Sequence, residues 1–174
     1  MAQTAQTTPN DLNVYSILQG NCTLRFREIT DPGNYQKHLS ALMFYSGLIV
    51  KNSAANFGRV DIRVSALRNE LIDCACRAVL MVHCLRHGSR VDLMRIESLQ
   101  ADCRRTFEAK NLDYGDSYKT YGSIGVLIRL QDKFRRVQQL SRQDAVVKEE
   151  SLVDTLLDIY NYCLMAVLLI DRGL

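Results

Sequence analysis

Between Val60 and Leu85 the apolar residues recur at threes and fours: Val60, Val64, Leu67, Leu71, Ala75, Ala78, Val82 and Leu85. That spacing follows the 3.6-residue turn of an α-helix and puts one continuous apolar stripe on one face. Gly88 then supplies a C-cap. The same period returns four more times. It spans Tyr35 to about Lys51, with Leu39, Leu42 and Met43, and then Val91 to Ala109, with Leu93, Ile96, Leu99 and Phe107. It spans Ser123 to Leu140, with Ile124, Leu127, Ile128, Phe134 and Val137 inward, and Glu149 to Ile170, with Leu152, Leu156, Ile159, Cys163 and Val167 inward. The expected fold is all-α, a bundle of about five helices forming a single domain over residues 34–174.

Residues 1–33 read differently. Met1 to Leu12 is a polar tail without periodicity. From Val14 to Ile29, Leu24 and Phe26 alternate with Thr23, Arg25 and Arg27, and Gln19-Gly20-Asn21 offers a turn, so a short β-hairpin is expected there. Asp31-Pro32-Gly33-Asn34 breaks that segment and starts the first long helix.

Composition narrows the function classes. Across 174 residues the formal net charge is +3, too weak for a dense basic surface, so direct nucleic-acid binding is not expected. The longest apolar run, Cys163 to Ile170, is far short of the roughly 20 residues that cross a bilayer. Met1 to Asn10 lacks the basic-then-apolar order of a signal peptide, which points to a cytoplasmic protein. The cysteines form no CxxC pair and read as reduced, buried thiols. His83 and His87 lie four apart on a helix, but Cys84 stands where a zincin glutamate would be, so ordinary histidines are the favoured reading.

Three segments carry candidate chemistry. The loop Asn111 to Tyr118 holds Asp113, Tyr114, Asp116, Ser117 and Tyr118 around Gly115. Carboxylates there can take ribose hydroxyls or a metal, and a tyrosine can stack on a base; the plain alternative is a turn with a helix cap. On the last helix Glu150, Asp154 and Asp158 stand four apart. Like charges at that spacing repel, so the stripe is either a divalent-cation site or a solvated acidic face. On the preceding helix Arg129, Lys133 and Arg136 share a face, with Asp132 and Arg135 nearby, which suits phosphate or a solvated basic face. If the two helices pack antiparallel, cations and carboxylates frame one cleft.

Ala109-Lys-Asn-Leu-Asp-Tyr-Gly-Asp-Ser-Tyr118, Gly125 to Arg136 and Glu149 to Tyr162 together resemble the phage-associated family called nucleotide modification associated domain 1, over Ala109 to Met165. The order of helices is also similar to the MazG-like all-α nucleoside triphosphate pyrophosphohydrolases. That resemblance implies Asp113, Asp116, Asp132, Glu150, Asp154 and Asp158 as an acidic set for Mg, Arg129 and Lys133 as phosphate contacts, and Tyr114 as a base or sugar contact. It also has a departure: no ExxE pair occurs anywhere, and Glu150 to Asp154 is spaced ExxxD.

The favoured expectation is a phage-type nucleotide-binding protein that holds a nucleotide intermediate, or sequesters a nucleotide signal of host immunity, without turnover. The nucleotide-binding set is Asp113, Tyr114, Asp116, Tyr118, Arg129, Lys133 and Arg136. The alternative is a Mg-dependent pyrophosphohydrolase with metal on Asp132, Glu150, Asp154 and Asp158. A third reading is a non-catalytic helical interaction protein. A homo-oligomer is expected, because the apolar helix Tyr35 to Val50 needs covering.

Overall fold

The computed structural model describes residues 9–28, 34–55, 62–114, 117–141 and 148–174, with side chains over 11–26, 34–53, 65–113, 117–141 and 151–174. All regular structure among these residues is helical: α1 (Pro9–Glu28), α2 (Tyr35–Ala55), α3 (Ile62–His87), α4 (Leu93–Tyr114), a 3₁₀ turn (Ser117–Lys119), α5 (Gly122–Ser141) and α6 (Lys148–Asp171).

Two helices make the centre. From Leu71 to His83, α3 buries almost every residue except Asp73 and Arg77, and α6 is buried nearly all round from Leu152 to Leu169. A helix apolar on all sides must be surrounded. Accordingly α3 packs against α6 and α2, α6 packs against α5, and α1 lies against α3, α6 and α4. Over 151–171 α6 is long and apolar enough to cross a bilayer by length and composition, but 67% of that stretch is buried inside the bundle, the position of a core helix.

The helix ends follow local chemistry. Asn34 Oδ1 accepts the Lys37 N–H at 3.0 Å and caps α2. Asp92 Oδ1 accepts the N–H groups of Met94 and Arg95 at 3.0 and 3.3 Å and caps α4. Gly88 closes α3 at φ 79°, its N–H bonded to Cys84 O. At Gly122, φ is 58° and a Cβ would lie 3.0 Å from the Leu174 backbone, so only glycine fits the start of α5.

The expected hairpin is not present: residues 14–28 belong to α1. Asp11, Tyr15, Leu18, Cys22 and Phe26 repeat at fours and threes and are all 2% exposed or less. The alternation around Leu24 covers little more than one helical turn, and Leu24 simply faces out. The expected loop after Ala109 is also shorter, because α4 continues to Tyr114. Residues 1–8, Ile29 and the breaker Asp31-Pro32-Gly33 lie outside the described residues.

Candidate functional site: a cleft between α4, α5 and α6

Along α5, Ile124, Gly125, Ile128 and Asp132, with Tyr121 just before the helix, fall on one face, a second stripe beside the one that packs into the core through Val126, Leu127, Leu130, Phe134 and Val137. Ile124 and Ile128 were expected inward, yet they are 43% and 57% exposed, and Tyr121 is 79% exposed. On α6, Asp158, Asn161, Tyr162 and Met165 share a face by the same spacing. Contacts of Gly122 with Leu174, Lys133 with Asp158 and Arg136 with Ser151 run in opposite directions along the two helices, so they are antiparallel.

The last turns of α4 add Phe107, Lys110 and Asn111, and the 3₁₀ turn adds Ser117 and Tyr118. Together these elements enclose a cleft of about 1070 Å³. Aromatic and aliphatic walls with a few converging polar groups are the usual composition of a small-molecule site.

Its charged edge is specific. Asp158 accepts from Lys110 Nζ at 3.1 Å and from Lys133 Nζ at 2.7 Å. Burial pushes the Asp158 carboxyl up, but the hydrogen bonds and charges of Lys133 and Lys110 outweigh it and hold the group below the usual carboxylate range. Arg129 lines the cleft and is exposed. Asp132 also lines it and pairs with Arg135 at 3.7 Å.

The inner edge is braced from outside. Asn161 Oδ1 accepts the Tyr15 hydroxyl at 2.5 Å, and its Nδ2 donates to Cys103 O at 3.2 Å. Tyr15 stacks on Phe107 with ring centroids 4.7 Å apart and planes within 3°. Burial pushes the Tyr15 hydroxyl well above its ordinary range, so it stays a donor. Tyr118 meets Phe107 edge-on at 5.9 Å, and Lys119 Nζ lies 5.6 Å from the Tyr118 ring centre. Lys119 also reaches the fully buried Asp11 at 2.6 Å, and Arg172 pairs with the same carboxylate.

Residues 110–170 match the family model of nucleotide modification associated domain 1. All cleft residues except Phe107 fall inside this domain match. Comparisons with curated proteins and with solved structures found no match.

Of the residues expected from sequence, the fold brings Tyr118, Arg129, Asp132 and Asp158 to the cleft, and Lys133 joins through Asp158. Others lie elsewhere. Asp113 and Asp154 are exposed and do not line it, and Arg136 reaches Ser151 Oγ at 3.3 Å instead. The side chains of Tyr114, Asp116 and Glu150 lie outside the described residues. Among the described residues, no group of three or more His, Cys, Asp or Glu side chains is placed to hold a metal ion. Sequence reasoning missed Lys110, Asn111, Tyr121, Asn161 and Tyr162. The second apolar stripe, Tyr121-Ile124-Ile128, was the signal available for one wall.

Proposed function

We propose that this cleft binds a phosphorylated nucleotide and holds it without turnover, either as an intermediate of nucleotide modification or as a sequestered nucleotide signal. The observation that carries the reading is the coincidence of the cleft with the nucleotide modification associated domain. The chemistry supports it. Tyr118, Tyr121 and Tyr162 offer π-faces for a base, Asn111 and Asn161 offer amides, and Lys110 and Arg129 offer cations for phosphate. Asp158 is engaged by two lysines, which suits an anion site better than a metal site.

One observation favours the hydrolase as a second reading: Asp132 and Asp158 line the same cleft. Incubation with nucleoside triphosphates and Mg separates the two. The binding reading expects no pyrophosphate, and steady release replaces it with the hydrolase. Mass spectrometry of an acid extract of the freshly purified protein then tests binding itself. A nucleotide recovered near stoichiometry is the expected result. An empty extract, together with no thermal shift from any nucleotide, ends the binding reading and leaves a helical interaction protein. We expect a homo-oligomer as well, since Phe44 and Val50 remain 63% and 43% exposed on α2; light scattering reads the mass.

A further inference from the structure

Lys110, Lys133 and Asp158 come from three different helices; Lys110 and Asp158 line the cleft, and Lys133 joins them through Asp158. Asp158 keeps 23% of its side chain exposed and contributes to the cleft wall, so a ligand entering the cleft meets it. Two ammonium groups on one carboxylate leave an excess positive charge, and Arg129 sits one turn before Lys133 on α5.

We propose that Asp158 is a resident counter-ion in the phosphate subsite: Lys110 and Lys133 are the cations that grip phosphate, and Asp158 decides which anions can claim them. The inference rests on the nucleotide reading and names its ligand class, nucleotides with a terminal phosphate.

Incoming anions compete with Asp158 for the two lysines. Asp158 is tethered beside the lysines, so its effective concentration is high and an incoming anion must outdo it. Lys133 and Lys110 hold Asp158 ionised despite its burial, so it competes at every pH near neutrality. A phosphodiester carries a single negative charge and offers the lysines no more than Asp158 already does. A terminal phosphate carries about −1.5 to −2 charges and three acceptor oxygens, and so gains on exchange. Lysines suit the exchange because their ammonium groups sit on flexible stems with rotatable donors, unlike the fixed fork of arginine. The Lys110 side chain is 58% exposed, free to swing from Asp158 to a ligand.

The test is calorimetric titration, with chelator present, of wild type, Asp158→Asn and Lys110→Met. The probes are the monophosphates of the common nucleosides and the cyclic monophosphate diesters of the same nucleosides. Wild type prefers the monoester. Asp158→Asn binds the same monoester about tenfold more tightly, the effect of deleting one nearby negative charge in a half-screened cleft, and its preference over the diester shrinks. Lys110→Met binds the monoester about tenfold more weakly with unchanged melting. If Asp158→Asn binds as wild type does or more weakly while wild type binds nucleotide, the counter-ion role is wrong and the nucleotide reading stands. If Lys110→Met binds like wild type, the lysine is not in the subsite and the proposal is overturned. If no protein binds any probe, the proposal falls; the nucleotide reading falls with it only if the acid extract is also empty and no nucleotide shifts the melting.

Discussion

The Tyr15 hydroxyl donates to Asn161 Oδ1, which ties α1, outside the domain match, to an amide that lines the cleft. Both groups are buried, so losing one partner leaves the other poorly satisfied. Tyr15→Phe keeps the ring stacked on Phe107 but leaves that oxygen unsatisfied. We expect a loss of about 1–3 kcal/mol in urea unfolding, together with weaker nucleotide binding as Asn161 loosens. Unchanged stability and affinity would show that the bond contributes to neither.

Asp11 fixes the far end of the same frame. It is fully buried, with Lys119 from the 3₁₀ turn and Arg172 from beyond α6 on its oxygens. Removing one member of a buried charge group strands the others. Asp11→Ala is expected to cost about 3 kcal/mol, read as a shift in the denaturation midpoint with unchanged slope. A change below about 0.5 kcal/mol would place this triad among ordinary surface pairs.

His83 gives a pH dependence. It is buried and accepts the Asp92 N–H at Nε2, 3.3 Å away, beside the ring of His87 at 5.4 Å. Burial, then the neighbouring His87 charge, lowers its pKa below the ordinary imidazole value. As pH falls through about 6.5 the unfolded chain takes up this proton before the folded chain does. Below that point the unfolded state holds more protons, so stability falls with falling pH. Unfolding free energy is therefore expected to be lower near pH ~5.5 than near pH ~7.5, and His83→Gln flattens the difference. An equal pH slope in the variant would assign the effect to other groups.

Arg129 separates binding from folding. Its side chain is exposed, and its role in this account is toward phosphate. Arg129→Ala is expected to leave stability within about 0.5 kcal/mol and to weaken nucleotide binding about tenfold, or about 1.4 kcal/mol. Calorimetry on the two proteins reads the difference.

The helices with strong periodicity were legible: Gly88 ends α3 as expected, and the bounds of α5 and α6 fall within one or two residues of the sequence reading. The helix α1 was hidden because Thr23 to Arg27 mimics strand alternation and Gly20 breaks the apolar rhythm. Its true face, Tyr15, Leu18, Cys22 and Phe26, is defined by packing on α3 and α6. On α5, Ile124 and Ile128 carry the helical period but belong to a second face, and sequence alone cannot say which stripe meets the core. Lys110 and Asn161 were invisible for a different reason. Their significance comes from helices separated in sequence crossing at one place, and no local spacing encodes that crossing. Arg129, Lys133, Asp132 and Asp158 were legible because they share two adjacent helices.

The most direct measurement is an amide chemical-shift map of isotope-labelled protein during titration with a nucleoside triphosphate. The account predicts saturable shifts concentrated at Lys110, Tyr121, Arg129, Asp158 and Asn161, with little change along the exposed face of α2. Absence of shifts at millimolar ligand, or shifts confined to residues away from the α4–α5–α6 cleft, would contradict it.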